Sequence, residues 1–124
     1  MSRKKILIVE DEDDVRMTIV EALERPYDVF SVRSGEEALA ILMRGREFDL
    51  ILSDVDMLTL KISGIELLRL VRFNDLVPAK TKFALMSGFV TEDIESACAE
   101  FKATLLQKPI SPILQTVANI LEEN

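Results

Sequence analysis

Histidine is absent from the 124 residues, and cysteine occurs once. The first absence removes phosphohistidine formation on this chain, histidine-based general base catalysis and any zinc site built on imidazole. With one thiol besides, a bound metal has to be held by oxygen, which favours a hard cation such as Mg²⁺ (or Mn²⁺). Cys98 sits in the helix-like stretch DIESACAEF, where a small buried apolar residue is a better reading than a reactive thiol. No apolar run approaches the ~20 residues of a membrane span, and the start, MSRKKILIVEDEDD, turns acidic too early for a signal peptide. A cytoplasmic protein with no membrane role is expected. Basic charge is also short: 15 Lys and Arg face 22 Asp and Glu, a net −7, which argues against direct nucleic-acid binding, where phosphates demand basic surface.

What is present is an ordinary globular composition, 48% hydrophobic. A chain of this length buries roughly two thirds of its unfolded surface, enough to fold without disulfides or structural metal. Short apolar or β-branched runs at 6–9, 29–32, 50–53, 83–86 and 104–107 alternate with segments of helical period at 13–24, 36–44, 65–73, 92–101 and 112–122. Ser34-Gly-Glu-Glu37 reads as a capping box, and Ser111-Pro112 as an N-cap before a proline at the first helical position. Five strand-then-helix repeats predict one α/β domain over residues 1–124, with a parallel sheet covered on both faces. The first and third runs are apolar without alternation, as central strands are.

In such sheets ligands bind beyond the carboxyl ends of the strands. The first run ends in Glu10-Asp11-Glu12-Asp13-Asp14, the third in Ser53-Asp54-Val55-Asp56, the fourth in Met86-Ser87-Gly88 and the fifth in Gln107-Lys108-Pro109. Acids, a hydroxyl and a lysine therefore gather at one rim. Like charges ~4 Å apart cost about 4 kcal/mol per pair at an effective dielectric near 20, so the acids need a cation among them or raised pKa values. Mg²⁺ suits the rim because it keeps waters and leaves positions for a phosphate. Lys108 can pair with a phosphate oxygen, Ser87 offers a hydroxyl donor, and Gly88 lets a backbone approach closely. Together these parts suit phosphoryl transfer to a carboxylate. Singly each has a plainer explanation: Asp54 as a solvated turn acid, the 10–14 acids as partners of a helix N-terminus, Ser87-Gly88 as a turn. Their conjunction and order carry the weight.

The series ILIVEDE, LILSDVDM, ALMSG and LLQKP resembles the receiver domain of two-component response regulators over essentially the whole chain. The resemblance implies a flavodoxin-like, doubly wound, five-stranded parallel sheet of order 2-1-3-4-5 with five helices. It implies that Asp54 is the phosphoacceptor, taking a phosphoryl group from a phosphohistidine on a sensor histidine kinase or histidine phosphotransfer protein. Such a domain catalyses only its own phosphorylation and dephosphorylation, and it signals by binding a downstream protein target. Glu10 and Asp11 match the Mg²⁺-binding acids, Asp11 as the more direct ligand and Glu10 through water, and Asp56 matches the position that lends its backbone carbonyl to the metal. Ser87 matches the hydroxyl residue that moves to the phosphoryl group, and Lys108 the lysine that pairs with it, often before a cis proline. By the family's habit, the first helix near Val15, Arg16 and Ile19 is the kinase-docking surface.

The sequence also departs from the family. Leu58 stands where a proline is usual, and Gly64 comes two residues late, so the loop after the third strand is longer and carries Leu58, Leu60 and Ile62. These side chains either tuck beneath the loop or meet a partner. Leu105 replaces the usual aromatic three residues before Lys108, and Phe101-Lys102 replaces Gly-Ala, which implies a changed turn. Two rival readings stay open. A haloacid-dehalogenase-type phosphatase or phosphotransferase would use Asp54-Val55-Asp56 as nucleophile and acid, but it places its motif after the first strand and needs Thr or Val where Leu58 stands. A receiver that is never phosphorylated would serve only as an interaction module.

Overall fold

The computed structural model describes residues 2–56 and 62–123. Five strands alternate with five helices: β1 (Lys5–Val9), α1 (Asp13–Leu23), β2 (Asp28–Val32), α2 (Gly35–Met43), β3 (Leu50–Asp54), α3 (Gly64–Phe73), β4 (Lys82–Ser87), α4 (Glu92–Phe101), β5 (Thr104–Gln107) and α5 (Ile113–Glu122). The strands are all parallel, in the order β2-β1-β3-β4-β5, as the resemblance implied. Five of the predicted segments match five helices and five match strands, with ends shifted by a residue or two.

Successive strand residues point to opposite faces, and β1 and β3 supply apolar side chains to both. Ile6, Ile8, Leu50 and Leu52 face α1 and α5, packing with Ile19, Leu23, Val117 and Ile120. Leu7, Val9, Ile51 and Phe83 face α2, α3 and α4, packing with Ala38, Leu42, Leu67, Val71 and Ile94. Cys98 belongs to this second core, and burial pushes its thiol pKa up, which fits a packing role. Leu105 packs, partly buried, against the same core.

The helix ends depart from expectation in informative ways. Ser34 accepts from the Glu37 N–H, but the Glu37 carboxylate accepts from the Arg33 N–H rather than closing a capping box on Ser34. A complete capping box occurs instead at Ser63 and Glu66, which start α3. Ser111 is not the cap of the last helix: Pro112 holds that position, its peptide bond with Ser111 is cis, and α5 begins at Ile113. After α4, Lys102 takes the left-handed conformation (φ 55°) in the turn where Phe101-Lys102 replaces the usual pair. The Ala103 N–H closes that turn on the Cys98 carbonyl, and Arg72 from α3 donates to the Phe101 and Lys102 carbonyls.

Candidate functional site: an acidic rim with one lysine

The sheet changes winding direction between β1 and β3, the central pair whose following helices lie on opposite faces. Crevices of this kind are ligand sites, and Glu10, Asp11 and Asp54 meet there. One carboxylate oxygen from each lies within 4.8 Å of the others. Backbone bonds fix the strand ends that carry them: Glu10 N–H to the Val32 carbonyl (3.1 Å), Val55 N–H to Met86 (2.9 Å) and Lys108 N–H to Ser87 (2.8 Å).

Lys108 Nζ stands between two acids, 3.0 Å from Asp54 Oδ1 and 3.1 Å from Glu10 Oε2. Glu10 is fully buried and Asp54 is 5% exposed. Burial raises the pKa of both carboxyls, and their mutual repulsion adds to the shift of Glu10, against the lowering effect of Lys108. Burial pulls the Lys108 pKa down, but its ion pairs with Asp54 and Glu10 outweigh that and hold it above the usual lysine value. One ammonium therefore faces three clustered acids.

Glu10 Oε2 is buried, and among the described residues its partner is the Lys108 ammonium at 3.1 Å, which it shares with Asp54. One ammonium shared among three clustered acids leaves the cluster short of positive charge, which is costly for buried carboxylates. Three hard oxygen donors with excess negative charge fit a divalent cation of the Mg²⁺ class. Asp56 is exposed, and its carboxylate stands outside the cluster.

Ser87, the last residue of β4, is buried at 2% exposure. Its hydroxyl donates to the Phe89 carbonyl and accepts from the Phe89 N–H, so it is engaged by its own loop rather than by the acids. A Cβ on Gly88 would meet no described atom within 4 Å, so the turn there is open. Gly64 is where closeness is required. A Cβ on it would collide with the Asp54 carbonyl and the Val55 backbone, and its N–H bonds the Val55 carbonyl at 2.9 Å. The late glycine thus seats α3 directly against the strand end that carries Asp54. Ile62 resolves in favour of tucking: it packs on the core, lies over Gly35, and its N–H donates to Glu36 Oε1 at 3.0 Å. Leu58 and Leu60 lie outside the described residues. The Lys108-Pro109 peptide is cis.

The docking expectation on α1 needs correction. Arg16 and Ile19 are buried, 7% and 3% exposed; with Leu23 they form the inward stripe of the helix. Arg16 donates to the Glu10 carbonyl (3.1 Å) and to Asp13 Oδ1 (2.6 Å). The i, i+3, i+7 spacing of 16, 19 and 23 was the available signal that Arg16 points inward. Val15 instead rims an apolar groove of about 450 Å³ that also involves Thr18, Pro109, Ile110 and Ile113 and reaches Lys108.

Comparison with known proteins places these features. The family profile of the response regulator receiver domain matches residues 6–118. A curated relative, the sensor kinase CckA of Brucella abortus, is 38% identical over 123 residues, covering 95% of this chain. The chain spans only 12% of that relative's length. Among solved structures, a chemotaxis protein of Vibrio cholerae is similar with a TM-score of 0.82 and 27% identity, covering 96% of this chain and 99% of that one. A CheY-like receiver domain protein of Methanospirillum hungatei reaches a TM-score of 0.85 at 25% identity, covering 98% and 95%.

Proposed function

The chain belongs to the response regulator receiver domain family, and on that premise we propose that Asp54 accepts a phosphoryl group from the phosphohistidine of a sensor histidine kinase or a histidine phosphotransfer protein. The observation that carries this reading is the convergence of Glu10, Asp11, Asp54 and Lys108 at the crevice between β1 and β3. Residues 1–124 act as one receiver unit in this reading, working in the cytoplasm; no described helix is long and apolar enough to cross a membrane.

In the transfer, an Asp54 carboxylate oxygen forms the new P–O bond as the P–N bond to the donor imidazole breaks, and the imidazole nitrogen keeps the bonding pair. Lys108, released in part from Asp54, pairs with a phosphoryl oxygen. Asp11, Asp54 and the Asp56 backbone carbonyl, with Glu10 through water, would hold the Mg²⁺ or Mn²⁺, which would offset charge building on the phosphoryl oxygens. In this reading the Ser87 hydroxyl leaves Phe89 for the phosphoryl group, which alters the β4–α4 loop that a downstream protein reads. The domain turns over no separate substrate, only its own acyl phosphate. The donor's docking face is the groove beside α1 that reaches Lys108, with Val15 and Thr18 on its rim and Ile19 only at its floor.

A phosphatase of the haloacid-dehalogenase type is not favoured. Its second acid would be Asp56, which stands outside the carboxylate cluster. A purely non-phosphorylated module is disfavoured by the retention of all five rim residues. Mixing the protein with a phosphorylated histidine phosphotransfer protein and Mg²⁺ tests the reading: one phosphoryl group per chain should move across in a single turnover. Steady release of phosphate from simple esters, with no transfer from phosphohistidine, would favour the phosphatase instead.

A further inference from the structure

Arg16 is a buried rim-side cation whose place the phosphotransfer chemistry does not explain. It is nine-tenths buried beneath the acidic turn, on the stripe of α1 that otherwise carries Ile19 and Leu23. Its fork makes two bonds: one nitrogen meets the Glu10 backbone carbonyl at 3.1 Å, the other meets Asp13 Oδ1 at 2.6 Å. Glu10 and Asp13 bracket the turn that carries Asp11. The bracket extends to the residue after β2, because Asp13 Oδ1 also lies 3.6 Å from Arg33 Nε.

We propose that Arg16 is a positioning residue that clamps both ends of the Glu10–Asp13 turn, fixing Glu10 and Asp11 for a divalent cation while its bonds avoid the Glu10 and Asp54 carboxylates. The inference rests on the metal reading above and adds a residue to it. Lys108 and Arg16 thereby divide the labour. Lys108 pairs with carboxylate oxygens of Asp54 and Glu10, the groups a bound cation would also meet. Arg16 binds a backbone carbonyl and an acid outside the cluster, so its hold persists when the site fills. Partners of this outer kind are worth 10–100-fold in metal affinity when removed, and a planar fork that spans two acceptors is not reproduced by an ammonium.

Geometry and simple charge predict opposite signs, which makes the idea testable. A nearby positive charge acting only through its field repels Mg²⁺, so its removal would tighten metal binding. A clamp acting through position weakens metal binding when lost. Mn²⁺ affinity of the full chain would be measured by electron paramagnetic resonance titration, without any phosphodonor, for wild type, Arg16→Met and Arg16→Lys. Each is held well below its melting temperature, and Ile120→Ala, a core variant remote from the rim, controls for lost stability. Arg16→Met should bind Mn²⁺ roughly tenfold more weakly or worse, Arg16→Lys should recover only part of the loss, and Ile120→Ala should bind as wild type. Equal or tighter binding by Arg16→Met overturns the clamp, as does an Arg16→Lys protein that matches wild type. Should Arg16→Met not fold, the Arg16→Lys comparison alone decides. A wild type that takes up no Mn²⁺ would overturn the metal reading itself, and the clamp with it.

Discussion

Lys108 Nζ bridges Asp54 Oδ1 and Glu10 Oε2 at 3.0 and 3.1 Å, one cation shared by two buried acids from different strands. Removing it strands both carboxylates. Lys108→Met should destabilise the metal-free protein at neutral pH by about 3 kcal/mol, the scale for breaking a buried ion pair from one side. Added Mg²⁺ should recover much of the loss by meeting the same oxygens. Chemical denaturation with and without Mg²⁺ measures both effects.

The same crowding makes stability depend on pH. Burial raises the folded-state pKa of Glu10 and Asp54 above their unfolded values. Between those values the folded protein holds more protons than the unfolded chain, so stability falls as pH rises through that window and returns as pH drops. Metal-free wild type should therefore melt at a higher temperature at mildly acidic pH than at neutral pH. Asp54→Asn removes one of the two groups and part of the other's repulsion, so it should raise the neutral-pH melting temperature and flatten the slope. A slope unchanged in Asp54→Asn, followed by calorimetry across the pH range, would place its origin elsewhere.

Gly64 governs how α3 meets the site. A Cβ there would strike the Asp54 carbonyl and Val55 backbone, neither of which is the end of a flexible side chain. Gly64→Ala should cost about 2–3 kcal/mol, in the range of overpacking a tight contact, and should slow labelling of Asp54 by a small phosphodonor. Ser63→Ala, which removes the cap but leaves the contact intact, should cost about 1 kcal/mol and leave the labelling rate near wild type. Urea unfolding and initial rates of labelling separate the two.

Lys102 holds a left-handed conformation without being glycine. A β-carbon in that region costs roughly 1–2 kcal/mol, partly returned by the greater freedom of unfolded glycine. Lys102→Gly should thus stabilise the fold by about 0.5–1 kcal/mol, visible as a rise in melting temperature with the labelling of Asp54 unaffected.

The features legible in the sequence were those set by local pattern. β1 and β3 announce themselves as central strands because their apolar residues do not alternate, and both faces are indeed covered. Glu10, Asp11 and Asp54 could be brought together on paper because parallel strands end on one edge. What stayed hidden depended on contacts between distant segments. Gly64 sits against Asp54 across a loop whose length alone says nothing of the approach. Glu36 receives the Ile62 N–H from another connection entirely. Arg16 was misplaced because a charge suggests a surface, although its spacing from Ile19 and Leu23 put it inside. The Ser87 hydroxyl could be located by position, but its engagement with Phe89 follows from the turn.

The proposed function makes Asp54 the phosphoryl acceptor, beside the Glu10, Asp11 and Lys108 side chains brought to it from two other strand ends. The most direct test is to incubate wild type and Asp54→Asn with a small phosphodonor and Mg²⁺, then map the modification by mass spectrometry. Wild type should gain one acid-stable, base-labile phosphoryl group on Asp54, absent without the divalent cation, and Asp54→Asn should gain none. A wild type that takes up no phosphoryl group, or an Asp54→Asn protein labelled as fully as wild type, would rule out Asp54 as the acceptor.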